Sequence, residues 1–96
     1  MIVEIHVSPT PSGTNDNRYA HVEAAIALAQ QAGLTYEVGA LGTTIEGSPD
    51  DLWPLIRSMH EATLQSGANS VMTNMRLAQH GAEDGPRMKN LVAKFR

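Results

Sequence analysis

Eight side chains able to bind cations, exchange protons or read hydrogen-bonding edges recur at alternate positions of four β-patterned stretches: Glu4, His6, Ser8, Glu37, Thr44, Glu46, Asn74 and Arg76. Three carboxylates, an imidazole and a guanidinium invite catalytic readings, and each is incomplete. Glu4, Glu37 and Glu46 are the right type for a paired acid and base, but spacing alone does not set them side by side. Ser8, His6 and Glu46 contain the types of a nucleophile, a base and an orienting acid. Residues 6 and 8 stand in a row on one strand, however, and nothing resembles the strained elbow that presents a nucleophilic serine. The histidines, His6, His21, His60 and His80, lack HExxH or other close ligand spacing. His6 with a facing carboxylate is the best core a metal site has, and no metal is expected. His21 and His60 are expected at the helix rim or in solvent. Gly39, Gly42 and Gly47 punctuate turns and lack the Gly-Lys-Ser/Thr of a phosphate loop.

Composition removes further classes. Cysteine is absent, so disulfides, thiolate chemistry and cysteine-ligated metal centres are excluded. Seven Lys and Arg against ten Asp and Glu give a net charge of −3, without the basic stripe of a nucleic-acid binder. Arg87, Lys89, Lys94 and Arg96 alternate with apolar residues and read as one solvated helix face. No apolar run approaches the roughly 18–20 residues of a membrane span. The opening MIVEIHVSP lacks the basic and long apolar regions of a signal peptide, so a cytoplasmic protein is expected. The 96 residues, 42% of them hydrophobic, suit one domain over 1–96. A chain of this length buries only about 60–70% of its unfolded surface, which makes self-association a reasonable expectation.

The elements that position the polar set are read from periodicity. Residues 1–8 alternate Val3, Ile5 and Val7 with Glu4, His6 and Ser8, the period of a half-buried strand. Pro9, Pro11 and Gly13 then make a loop. Asn15 or Asp16 is the expected cap of a helix whose stripe is Val22, Ala25, Ile26, Ala29 and Ala32, closed by Gly33. Residues 34–38 and 43–46 read as a hairpin. Ser48, Pro49, Asp50 and Asp51 make a strong helix start. Leu52, Leu55, Ile56, Met59 and Thr63 supply that helix's buried stripe, Pro54 predicts a bend or a tight first turn, and Gly67 closes it. Trp53 reads as a packing residue more readily than as a stacking platform. Residues 69–77 alternate again, 79–86 form a polar loop, and Met88, Leu91, Val92 and Phe95 mark a helix over 87–96.

The order strand, helix, strand, strand, helix, strand is the ferredoxin-like βαββαβ arrangement, an α+β fold. Four antiparallel strands carry both main helices on one face and leave the other face open, with a short C-terminal helix added. By strand parity Val3, Ile5, Val7, Leu34, Tyr36, Val38, Thr43 and Ile45 face the helices. Glu4, His6, Ser8, Glu37, Thr44, Glu46, Asn74 and Arg76 face away. A polar outer face is what an ordinary solvated sheet presents; the functional alternative is a polar ligand site. Glu46 is therefore expected to be replaceable at little cost in stability, unlike Ile45. Sheet edges must be blunted or paired, and 69–77 or its neighbour is expected to pair across a two-fold axis.

The stretch YEVGALGTTIEG at 36–47 resembles the hairpin Y-E-V/L-G-P-x-x-T-T-I/V-E-G of the small thiamine-binding protein family. Val7-Ser8-Pro9 and the lysine-bearing 89–94 resemble that family's first strand end and last helix. Ala40 stands where the family has proline, and Ser48 where an acid is common. The resemblance implies a ferredoxin-like fold and non-catalytic binding of thiamine or a related pyrimidine. It also implies dimers joined edge to edge, with sheet faces stacked into a tetramer, a dimer of dimers. No cofactor is implied beyond thiamine itself as the bound ligand. The ligand-binding set is then Glu4, His6, Ser8, Glu37, Thr43, Thr44, Glu46, Asn74 and Arg76. The glutamates would attract the cationic thiazolium, and Ser8, Thr44 and Asn74 would serve the aminopyrimidine. Tyr19, Tyr36, Trp53 and Phe95 are the only aromatic stacking partners. Two rivals stay open: an interaction module whose open face only mediates assembly, and an enzyme using the carboxylates on an unknown substrate.

Overall fold

The computed structural model describes every residue except 83, 84 and 86, which fall in the polar loop expected at 79–86. The alternation of the first segment becomes strand β1 (Ile2–Thr10), in which Val3, Ile5 and Val7 are buried and Glu4, His6 and Ser8 exposed. Helix α1 (Ala20–Gln31), strands β2 (Thr35–Val38) and β3 (Thr43–Glu46), helix α2 (Pro49–Ser66) and strand β4 (Ser70–Ala78) follow. A five-residue helix, α3 (Met88–Val92), ends in a 3-10 turn (Ala93–Phe95). The sheet is antiparallel in the order β2-β3-β1-β4, so the expected α+β ferredoxin-like arrangement is the one observed. No helix among the described residues is long and apolar enough to cross a membrane.

Several local expectations need correction. Strand β1 runs past Ser8 and includes Pro9. Strand β3 ends opposite Ile5, so beyond that point one edge of β1 is unpaired, and a residue without an N–H is tolerated there. Helix α1 starts at Ala20, and neither Asn15 nor Asp16 caps it. Residues 14–17 close a turn of their own, in which the Thr14 N–H donates to the Asn17 carbonyl at 2.7 Å. Asn17 then accepts from the Tyr19 N–H through Oδ1 and donates through Nδ2 to Glu23, so this residue ties the turn to the helix. His21 is buried rather than exposed, with Nδ1 2.6 Å from the Ser66 hydroxyl. His60 stays half-buried at the rim, with Nδ1 2.6 Å from the Thr73 hydroxyl.

The start of α2 is as read. The Ser48 hydroxyl accepts from the Asp51 N–H at 3.2 Å, and Pro49 takes the first helical position. Helical structure continues through Pro54 to Ser66. Pro54 is exposed, and the bond it forgoes is to the carbonyl of Asp50, an exposed first-turn residue. At the far end the chain takes φ +128° at Gly67, and the Ala68 N–H reaches back to the Thr63 carbonyl at 3.1 Å. This left-handed turn favours glycine, and a Cβ here would also stand 3.1 Å from the His21 ring.

The core lies between the two helices and the middle of the sheet. Val3, Ile5, Val7, Ile45, Leu52, Ile56 and Met59 meet Ala25 and Ala29, whose small side chains let α1 lie close. Coverage fails at both edges. Tyr36 and Val38 have the inward parity but stay 41% and 43% exposed, because β2 is an edge strand that the helices cover only in part. Met75 and Leu77 on β4 are similarly uncovered, at 43% and 40%. Trp53 is half-exposed on α2 and does little packing.

Ile45 is wholly buried, so Ile45→Ala should cost on the order of 2–4 kcal/mol in denaturant unfolding. Val38→Ala, on the uncovered edge, should stay within about 0.5 kcal/mol of the parent. Similar losses for both would place the core elsewhere.

Candidate functional site

Register arranges the outer-face side chains in rows. Thr44 lies opposite Glu37 on one side and Glu4 on the other, and Glu4 lies opposite Arg76. Glu37, Thr44, Glu4 and Arg76 thus cross the whole sheet in one line, with neighbouring strands about 4.8 Å apart. The next row contains Thr35, Glu46, Ile2 and Ala78. In the other direction His6 faces Asn74, and Ser8 faces Met72. Thr43 does not belong with them. It is buried on the helix side, opposite Ile5 and Val38, and its side chain cannot reach the outer face.

The outer face is not fully open. The carboxylate of Glu46 accepts the Met88 N–H at 2.7 Å through Oε2, and the Arg87 guanidinium lies 2.8 Å from its Oε1. Glu46 is consequently buried, at 8% exposure. It serves the first turn of α3 as a cap supplied from the sheet, since that helix has no side-chain cap of its own. At the other end of the segment, Arg96 Nη1 lies 2.6 Å from Glu37 Oε1. The basic residues of the C-terminal segment are therefore not one solvated face: Arg87 and Arg96 turn onto the sheet. For the same reason Glu46 is not a freely replaceable surface residue.

This segment roofs a cavity of about 610 Å³. Its floor is Ile2, Glu4, Thr44 and Glu37, the hairpin turn 39–42 forms one wall, and Met88, Leu91, Val92 and Arg96 close it above. The size lies within the range of small-molecule sites, and the mixture of apolar walls with a few polar groups is typical of them. Gly42 brings the turn against β1, where a Cβ would stand 3.1 Å from the Ile5 carbonyl oxygen. Of the aromatic residues, Tyr36 is the one at this cavity; Trp53 belongs to α2, on the other side of the sheet.

The sequence-derived set therefore divides. Glu4, Glu37 and Thr44 line the cavity. Glu46 lies just outside it, bordering a second hollow with Ser48, His80 and Arg87. His6, Ser8, Asn74 and Arg76 occupy an exposed shelf nearer β4. The apolar roof was missed: Leu91 and Val92 have the spacing of an amphipathic helix, and that pattern does not say which surface the helix covers. Among the described residues no three His, Asp or Glu side chains converge as metal ligands would.

The family model for thiamine-binding proteins matches residues 3–96. A UPF0045 protein of Clostridium perfringens is 29% identical over 86 residues, covering 90% of this chain and 88% of its own length. A UPF0045 protein of Synechocystis is 33% identical over 76 residues, covering 79% of this chain and 61% of its own. Among solved structures, a Bacillus cereus domain of unknown function is 32% identical with a TM-score of 0.81, covering 99% of this chain and 90% of that one. A Thermotoga maritima protein, described as a candidate thiamine biosynthesis/salvage protein, shares the fold at 22% identity and a TM-score of 0.81, covering 99% and 97% of the two chains. With the hairpin, the sheet order and nearly the whole length accounted for, the chain belongs to the thiamine-binding protein family.

Proposed function

We propose that this protein binds thiamine, or a pyrimidine closely related to it, in the cavity between the β2–β3 hairpin and the C-terminal segment, and performs no chemistry on it. Family membership and the description of the Thermotoga maritima neighbour support the ligand class. The observation that carries the location is Glu4. It is a carboxylate on the cavity floor, and among the described residues no cation lies within ion-pair distance of it. The thiazolium ring of thiamine is permanently positive. A cation 4 Å from Glu4 gains about 4 kcal/mol at an effective dielectric near 20, before desolvation is subtracted. Thr44, next to Glu4 on β3, offers a hydroxyl to the aminopyrimidine, and Ile2, Leu91 and Val92 give the rings apolar walls.

Assembly forms part of the proposal. Among the described residues nothing pairs with the outer edge of β4 along its nine residues, and Met75 and Leu77 are exposed beside it. We place a second copy there, strand against strand across a two-fold axis, in a cytoplasmic homo-oligomer. The shelf of His6, Ser8, Asn74 and Arg76 then becomes the surface on which two such dimers stack into a tetramer. The rival reading, a face used only for assembly, draws on the engagement of Glu37 and Glu46 by the chain's own arginines.

Titration calorimetry should give about one thiamine per chain. Glu4→Gln should weaken thiamine about three- to tenfold and the neutral pyrimidine fragment much less. Equal losses for both, or no heat from the parent, would leave the assembly reading in front. In sedimentation at micromolar concentration the parent should exceed a monomer, and Met75→Lys should lower its order. A monomeric parent would remove the β4 interface.

A further inference from the structure

The two ends of the C-terminal segment are held differently. At its start, Glu46 is buried and engaged twice, by the Arg87 guanidinium and by the Met88 N–H. At its end, the Arg96–Glu37 pair is a single ionic contact, with the side chains 58% and 44% exposed. Exposed pairs of this kind are weak, and water and salt compete for both partners. Between the two ends lie five residues of α-helix and one 3-10 turn, with no residue fully buried. A helix so short has little stability of its own. The attachment at Arg87 and Met88 is therefore the stronger of the two, and the contact at Arg96 the weaker.

The weaker contact lies at the cavity, which Met88 at the other end lines as well. Glu37 and Arg96 both line it, together with Glu4 and Lys89. Glu37 is thus a cavity carboxylate whose negative charge is already answered by a cation from the same chain.

Resting on the binding reading above, we propose that Arg96 is a built-in competitor for the ligand's positive charge. In the ligand-free protein its guanidinium occupies the place beside Glu37 that a cationic heteroaromatic ring takes when bound. Entry of such a ring displaces Arg96 and exposes a second carboxylate, so Glu4 and Glu37 hold the cation together. A neutral ring gains nothing from the exchange. The competition lowers the affinity for every cationic ligand and restricts occupancy to those whose remaining contacts exceed the latch.

The test is calorimetry on the full chain with thiamine, thiamine monophosphate and the neutral pyrimidine fragment, comparing the parent with Arg96→Gln and Arg96→Lys. Arg96→Gln should tighten thiamine about two- to fivefold, the range an exposed ion pair allows. It should change the neutral fragment less than thiamine, and Arg96→Lys should stay near the parent. In a Glu37→Gln background, adding Arg96→Gln should bring no further gain, because the pair acts as one unit. In the parent, saturating thiamine should move the Arg96 Nε–H resonance towards that of free arginine. If the parent binds thiamine, and Arg96→Gln binds it equally with the resonance unmoved, the competitor is overturned and the binding reading stands. If Arg96→Gln weakens thiamine, or weakens the monophosphate more than thiamine, Arg96 contacts the ligand itself and the competitor is likewise overturned. If thiamine gives no heat with the parent, the binding reading fails and the competitor falls with it.

Discussion

The contact of Glu46 with Arg87 and the Met88 N–H is the constraint on which the outer side of this protein depends. A carboxylate taken out of water is costly unless it is paired and hydrogen-bonded. Glu46 is both, and its burial and the attachment of α3 are the same event. The C-terminal segment has no buried residue with which to hold itself to the sheet. Without Glu46 it would have one exposed ion pair at its far end and the partial cover of Met88 and Val92. With Glu46 it becomes a roof, and the polar face below becomes the floor of a cavity.

The floor in turn depends on the two-sidedness of β1. One alternating strand at the centre of the sheet sends Val3, Ile5 and Val7 into the core and Glu4, His6 and Ser8 outward. The alanines of α1 let the inner layer close tightly, while the helices cover the edge strands only in part. Apolar side chains are therefore left uncovered on β2 and β4, and among the described residues nothing pairs with the outer edge of β4. Such edges are commonly blunted by charge or completed by another chain.

Charge at the cavity is finely balanced. Glu4 and Glu37 oppose Lys89 and Arg96 around one small volume, and only Glu37 and Arg96 are directly paired. Removing one charge leaves a net charge of one unit there, on the layer away from the hydrophobic core. The core and the cavity occupy opposite faces of the same sheet, and β1 and β3 contribute to both.

Sequence alone determined whatever a few consecutive residues can encode. Period-two alternation sorted the faces of β1, β3 and β4. Ser48 and Pro49 marked the start of α2, and Gly33 and Gly67 marked helix ends; both glycines take positive φ. The YEVGALGTTIEG hairpin was enough to suggest the family. Parity put Glu4, Glu37 and Thr44 on one face, and all three line the cavity. The same parity placed Thr43 on the helix side, where it lies. Tertiary structure alone decided which parts of each face are covered. The inward Tyr36 and Val38 remain exposed, because alternation gives a direction and not the reach of a helix. His21 is buried, because its partner Ser66 comes from the far end of α2. Glu46 looked like an open-face carboxylate until Met88, 42 residues away, met it. The physical reason is common to all three: periodicity and capping act within a few residues, whereas these contacts depend on where remote segments pack.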